Sequence, residues 1–476
     1  MAFGHAVVIG GSLSGLAAAR VLTDHFEQVT LVERDRFPQE GPAFRKGVPQ
    51  SRHVHILLPS GQAALEQLFP GLQDDLSAAG AVWVGIPEEL LWLSAAGWGQ
   101  RFAASHQLLS SSRELIDWTV RRRLVAIPNV RVLEQREVIG LVADANGDAV
   151  SGLSLRVRGD GRVERSETLR ADLVVDASGR GSRAPDWLEA LGYERPQQTI
   201  IDAKLRYATC QYVPPPGFSA DWKGLLLAAR PPEEGRFAVL LPIEGGRWIV
   251  GCQGVGDDHP PTDETGFLQW TRGLRSPILY ETIRDAEPAS PIYGFRNTTN
   301  QRRRYERLRR WPEGFVVVGD AACTFNPVYG QGMSVAAVTA VALDRALRVH
   351  RGREGLARRL QHQVAKSNRD AWLVSSGEDL RYPTTTGARV NLQTRLLHRY
   401  IDRVTRTAMI DQGVNRVFVD ALTLLARPTS LLRPSVALRV LGRQQGAPPD
   451  GPPVVRSPAA VSSCPSPKSF VCWIRA

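Results

Sequence analysis

The sequence predicts an α/β protein in which an open parallel sheet is interrupted by a second, mainly antiparallel domain and followed by a helical region. Three observations carry this. Residues 6–9 (AVVI) lead into Gly10, Gly11, Ser12 and Gly15 and then an Ala-rich stretch, the order strand, tight turn, helix. Two later apolar runs, 172–176 (DLVVD) and 315–318 (FVVV), also end in glycine-rich turns. Between those runs, residues 191–309 alternate strand-like segments with Pro/Gly turns, the texture of an antiparallel sheet. The first domain therefore reads as Rossmann-like, entered by the chain three times.

Each glycine of the first turn has a task. Gly10 allows the turn, and Gly15 lets the helix touch the strand. Ser12 stands where the backbone must approach a diphosphate. The helix behind it offers free N–H groups and a positive dipole end to that anion. The next strand, 28–32 (QVTLV), ends in Glu33, at the distance expected of a carboxylate that holds an adenosine ribose.

Composition narrows the class. The chain has 476 residues and is 43% hydrophobic, enough for two or three domains with real cores. Five scattered cysteines lack paired or metal-ligand spacing, which points to a reducing, cytoplasmic setting and no metal. No signal-peptide pattern precedes the first strand, and no run is long enough to span a membrane. The net charge of +11 is carried almost wholly by arginine. The Arg clusters at 121–123, 302–304 and 307–310 lie apart and lack aromatic interleaving, which argues against nucleic acid. An anionic cofactor or a membrane surface is the better use of that charge.

In chain order, residues 34–59 form a long irregular segment carrying Arg45, Lys46, Arg52, His53 and His55. A loop of that length in a compact domain points to function. The histidines read as packing or hydrogen-bonding groups. Residues 60–79 read as one amphipathic helix and 90–102 as a strand pair with a glycine break. Ser112 caps a helix over 112–124 that carries Arg113 in its first turn. Strands follow at 130–133 and 137–144, then a hairpin, 150–157 and 162–169, across Asp160 and Gly161. In the second domain, strands are expected at 200–212, 224–229, 237–241 and 247–253. After 315–318 comes GDAACTFNPVYGQGMS and an Ala/Val-rich helix. Here Asp320 is placed to accept a ribityl hydroxyl, and the amides near Gly332 and Met333 to stabilise negative charge on a ring, with Pro327 stiffening the loop. Helices are expected at 355–373, 391–409 and 411–426. Capping of the pocket is their first reading and interfacial membrane contact the second. From 444 onward the Pro/Ser-rich chain reads as disordered.

The set GGSLSG, Glu33, Ser112–Arg113, DASGRGS and GDAACTFNPVYGQGMS resembles the flavoprotein aromatic-hydroxylase and squalene-epoxidase superfamily. RKGVPQSRHVHILL, AAGWGQRF, SRELIDWTVR and LPIEGGRWIV narrow the likeness to bacterial flavoprotein epoxidases of polyether polyketide biosynthesis. The resemblance covers about residues 5–380. It implies FAD, NAD(P)H as a transient reductant, O₂, and oxygen transfer from a flavin C4a-hydroperoxide to a lipophilic polyketide or terpenoid. It divides the chain into a discontinuous FAD-binding domain (1–75, 105–190, 310–350), a substrate-binding β domain (76–104, 191–309), a helical cap (351–443) and a tail (444–476). Carried over by motif, Gly10, Gly11, Ser12 and Gly15 hold the pyrophosphate, and Glu33 and Arg34 flank the ribose. Arg45 and Arg113 face the phosphates and flavin, with Arg52 the alternative to Arg45. Val138 gives backbone contact to adenine, and Asp320 holds the ribityl chain or pyrophosphate. Pro327, Gly330, Gly332 and Met333 lie along the isoalloxazine.

No acid/base pair is evident, in keeping with chemistry carried by the cofactor. Halogenation is disfavoured: no lysine stands between Lys46 and Lys204, and a Trp-x-Trp-x-Ile-Pro signature is absent. A redox-neutral [4+2] cyclase on a polyene and an isoprenoid double-bond reductase stay open, because both would show the same FAD site.

Overall fold

The computed structural model describes residues 3–157, 166–350, 352–442 and 446–454. Its centre is a five-stranded parallel sheet in the order 315–317, 173–176, 3–9, 26–32, 130–133. Both faces of a parallel sheet are covered, so its strands are continuously apolar: Ala6, Val7, Val8, Val174, Val316 and Val317 are fully buried. The helix Leu13–Leu22 follows the first strand and packs on the sheet with Leu16, Ala17 and Ala19. A Cβ on Gly15 would stand 1.8 Å from the Gly10 carbonyl oxygen, so only glycine permits this crossing. Gly10 itself adopts φ +97°, a left-handed value.

A second, eight-stranded sheet has Leu205–Val213, Arg247–Val255, Phe237–Ile243 and Gly224–Leu227 running antiparallel in that order. Leu90–Ser94 joins its edge in parallel with Gly224–Leu227. One face packs on Glu264–Arg272 and Ile278–Ile283, through Val250, Cys252 and Phe267. The other face, through Val239, Leu241 and Ile249, packs with Val54 and Ile56. A three-stranded sheet (Arg136–Ala143, Val150–Val157, Ser166–Arg170) carries Val138. The turn expected at Asp160 and Gly161 lies outside the described residues.

Several elements differ from expectation for local reasons. The helix expected over 60–79 is two, Pro59–Leu68 and Leu72–Ala78, because Pro70 and a left-handed Gly71 break it. The strand expected over 200–212 is also two. Gln198–Ile201 pairs with Asn300–Arg303 in another sheet, and the break falls where the Asp202 carboxylate accepts the Lys204 N–H at 2.8 Å and Lys204 turns to φ +60°. Val82–Ile86 and His106–Ser110 form a strand pair that was not expected, as are the two helices on the outer face. The C-terminal helices run Leu356–Asp379, Leu392–Ala408, Gln412–Leu422 and Pro434–Leu441. Of the tail expected to be disordered, 446–454 is described, and Pro448 packs beside Gly97. Among the described residues no helix is long and apolar enough to cross a membrane.

Replacing Gly15 with alanine is expected to cost about 2 kcal/mol or more, since backbone rather than a flexible side chain must yield. Thermal unfolding of G15A against the unchanged protein checks this.

Candidate functional site

The three glycine-rich turns meet at the C-terminal ends of the parallel strands, where ligands of open α/β sheets bind. At the first, the Gly11 N–H donates to Glu33 Oε2 at 2.8 Å, and Arg45 Nη1 donates to the same oxygen at 3.0 Å. Arg45 Nη2 donates to the Gly11 carbonyl at 2.7 Å. Arg45, not Arg52, reaches the glycine turn; the Arg52 guanidinium lies over the Phe44 and Tyr293 rings. Phe37 sits where a Gly11 Cβ would be and stacks between Arg45 and Arg121. Arg34 is exposed, and Val138 is buried in a strand tied to the end of the second strand by the Arg136 N–H on the Glu33 carbonyl, 3.0 Å.

Arg113 projects from the start of the helix Arg113–Val125, whose N-cap Ser112 accepts the Leu115 N–H at 3.1 Å. Its guanidinium donates to Asp117 at 2.9 Å and to Ser12 Oγ at 3.0 Å. The charge of a buried arginine is thereby aimed at the turn that Ser12 occupies.

The second turn is pinned by Asp176. Fully buried, it accepts the Ser178 N–H at 2.9 Å and the Ser182 hydroxyl, and burial raises its carboxyl above the usual carboxylate range. Arg180 donates to Thr299, and Arg303 ties the second and third turns together through the Ala321 and Arg180 carbonyls at 2.8 and 3.1 Å.

In the third turn a Cβ on Gly319 would strike Ser14, which seats Asp320 against the first helix. The Asp320 carboxylate has no hydrogen-bond partner among the described residues. Burial raises its pKa, and the Arg180 and Arg113 charges oppose that rise. A partly accessible carboxylate without a donor, in the field of two guanidiniums, suits a ligand that brings hydroxyls. The turn Pro327–Tyr329 follows, closed by a left-handed Gly330, and the helix Gly332–Val349 begins behind it. At Gly332 the space beside the helix N-terminus is open. Gln331 Oε1 is buried there without a donor.

Sequence reasoning missed what holds this loop. Asp379, the last residue of Leu356–Asp379 and fully buried, accepts from Asn300 at 2.7 Å, Asn326 at 2.9 Å and the Tyr329 hydroxyl at 2.8 Å. Asn300 in turn accepts the Asn326 N–H and the Ser375 hydroxyl. Burial pushes Asp379 up to about 7 despite these donors. Nothing in the helix periodicity marked that aspartate, although NPVY displayed two of its partners.

The segment carrying the histidines meets the eight-stranded sheet. His53 is bonded to Thr209 at 2.9 Å and set edge-on to Tyr207 and Phe295. His55 Nδ1 meets the His53 carbonyl at 3.0 Å, which fixes the proton on Nδ1. Burial, with Arg52 near His53 and Arg113 near His55, lowers them to about 4 and about 3. Both are neutral at physiological pH. Cys323 is buried, and that burial raises its thiol pKa, which disfavours the thiolate a nucleophile needs.

The sequence pattern of a family described as FAD binding domain matches residues 5–375. The chain belongs to that family. A relative from Mycobacterium tuberculosis, Protein Rv3254, is 33% identical over 428 residues, covering 88% of this chain and 90% of that one. The 6-methylpretetramide 4-monooxygenase of Streptomyces rimosus is 25% identical over 370 residues, 76% of this chain and 79% of that enzyme. Two solved structures share the fold. The flavin-dependent brominase Bmp2 has TM-score 0.63 at 14% identity, covering 90% of this chain and 97% of the brominase. The p-nitrophenol 4-monooxygenase PnpA of Pseudomonas putida has TM-score 0.61 at 18% identity, covering 90% and 100%. This FAD binding domain protein is an FAD-dependent oxidoreductase of the flavoprotein monooxygenase kind.

Two predictions follow from the geometry. Truncating Asp379 to alanine orphans three buried donors and is expected to destabilise the protein by about 3 kcal/mol or more; Tyr329→Phe removes one donor and should cost about 1 kcal/mol. Chemical denaturation measures both. His55, ordinarily 6.5, refuses in the fold a proton that the unfolded chain accepts, so it contributes stability at pH 6.5 that is lost as pH falls toward 3. Asp379 acts in the opposite sense, costing stability as pH rises from 3.8 to about 7. The difference in unfolding free energy between His55→Asn and the parent isolates the first effect and should shrink steadily from pH 6.5 to 4.

Proposed function

We propose that the protein is an FAD-dependent monooxygenase that takes electrons from NAD(P)H and transfers one oxygen atom of O₂ to a lipophilic polyketide or terpenoid of secondary metabolism, by epoxidation or hydroxylation. Bound FAD, once reduced, supplies the activated oxygen; the protein supplies place, dryness and charge. The observation that carries the reading is the position of the flavin loop. Val328, together with Phe237 and Val255 of the inward sheet face, packs against one cluster that includes Ala203 and Leu205. Val54 and Ile56 join the same face against Val239, Leu241 and Ile249, and Ile56 lies against Gly330. An apolar wall beside an oxygen-transferring cofactor selects a lipophilic reactant and excludes water.

In this reading Gly10, Gly11, Ser12 and Gly15 receive the pyrophosphate. Glu33, Arg34 and Val138 serve the adenosine end. Arg113 and Arg45 neutralise the phosphates, Asp320 takes a ribityl hydroxyl, and Pro327, Gly330, Gly332 and Met333 flank the ring. The N-terminus of Gly332–Val349 would favour negative charge on the reduced ring. His55, neutral with its Nδ1–H committed, presents Nε2 as an acceptor. The Streptomyces rimosus relative, named a 6-methylpretetramide 4-monooxygenase, supports oxygen transfer to an organic substrate, and the motif likeness to polyether-polyketide epoxidases supports an alkene on a polyketide. The division into a cofactor domain, a substrate domain and a helical cap belongs to the same proposal.

Two measurements test it. Anaerobic NADPH or NADH should bleach the bound flavin in the presence of lipophilic polyenes, and admitting ¹⁸O₂ should yield a product one labelled oxygen heavier. A flavin that stays oxidised, with a product isomer of unchanged mass, would overturn oxygen transfer in favour of redox-neutral cyclisation. Arg113→Ala should weaken FAD binding about ten-fold or more, since it deletes a charge-assisted contact to a phosphate; flavin fluorescence titration reads this.

A further inference from the structure

The C-terminal helices carry a surface that the oxygen-transfer reading does not use. Residues 391–441 contain eight arginines, three aspartates, and neither lysine nor glutamate. The aspartates are engaged: Asp402 with Arg381, Asp411 with Arg439, and Asp420 with His106. Arg395, Arg399, Arg403, Arg406, Arg416 and Arg433 are exposed and have no ion-pair partner among the described residues. On Leu392–Ala408, positions 392, 395, 396, 399, 403 and 406 follow the spacing of a single helix face. That face is opposite the buried Val404 and Ala408. It bears four arginines flanked by Leu392 and Leu396, which are 70% and 54% exposed. On Pro434–Leu441 the same arrangement recurs: Val436 and Val440 are buried, while Leu438 and Leu441 stand on the solvent side, 76% and 60% exposed. Both helices share one core, through Val404, Ala408, Leu431 and Val436.

Leucines left in water cost free energy, and soluble proteins seldom cluster them without an occupant. We infer that this helical surface docks the enzyme peripherally on an anionic lipid bilayer. Charge decides among occupants. A second copy would oppose two strongly cationic faces and be repelled. A neutral apolar partner would leave six guanidiniums unanswered. A bilayer bearing anionic headgroups answers both parts: leucines enter the acyl boundary singly, needing no matched pocket, and arginines extend along the interface to the phosphates. The inference is independent of the reaction catalysed, although it would bring the enzyme to where lipophilic reactants partition.

Co-sedimentation of the FAD-bound, full-length protein with vesicles tests this. Binding is expected to vesicles of mixed phosphatidylcholine and phosphatidylglycerol at low salt, to fall steeply as salt rises, and to be slight with phosphatidylcholine alone. Leu396→Glu with Leu438→Glu, and separately Arg395→Glu with Arg399→Glu, should each reduce binding about ten-fold while flavin content and oligomeric state stay unchanged. Three results would overturn the inference: no binding to either vesicle, equal binding to both, or retention of binding by both double variants. Binding that appears only after removal of residues 455–476 would also overturn it, since the chain's own tail would then be the occupant. So would a salt-sensitive complex with poly-glutamate, indifferent to the leucine changes, in the absence of vesicle binding. That result would point to an acidic protein partner.

Discussion

The site depends on one steric constraint, the contact between the first helix and the first strand at Gly15 and Gly10. With 1.8 Å between a would-be Cβ and a carbonyl oxygen, the helix sits as low on the sheet as a backbone can. Its N-terminus then lies level with the strand ends rather than above them. The second and third turns come to the same level because their strands are in register with the first: Ile9 faces Asp176, and Asp176 faces Val317. A polar ligand reaching from Glu33 to Asp320 therefore crosses three turns set by one sheet. Arg303 and the Gly319–Ser14 contact then fix the turns against one another.

Charge at this edge is arranged in layers. Arg45 is satisfied by Glu33 and the Gly11 carbonyl, and Arg113 by Asp117 and Ser12, so neither depends on a ligand for its place. Asp320 is different: two guanidiniums act on it, and among the described residues no donor touches it. Preorganised cations with one open carboxylate make a site ready for an anionic ligand that also carries hydroxyls, with little rearrangement to oppose binding.

The parallel sheet was legible because buried parallel strands are short, apolar and followed by glycines, signals that local sequence carries in full. The strand at Val130–Leu133 and the Ser112 cap fell where spacing placed them. The glycine turns were legible for the same reason, since only glycine tolerates such close approaches. Boundaries decided by a single turn were harder. Asp202 ends one strand and hands the chain to another sheet, a choice made by a side chain bonding two residues ahead. The outer-face helices were hidden because each is short and its apolar stripe is completed only by the sheet beneath it. Asp379 was illegible for a deeper reason: its meaning lies in Asn300 and Asn326, 79 and 53 residues away in the chain.

That aspartate also explains how the loop 326–330 can be both shaped and polar. A turn such as 326–330 has too few residues to build a core of its own. Tying it to the end of a 24-residue helix solves this, because a long helix packed on the sheet moves only as a unit. The tie has to be buried to exclude water, and a buried carboxylate is tolerated only when donors surround it. Three donors converge on Asp379, yet desolvation still outweighs them and holds its pKa high. The helix and the loop therefore hold each other in place. The C-terminal region, which has no glycine-rich motif of its own, is tied to the third glycine-rich turn through that one carboxylate.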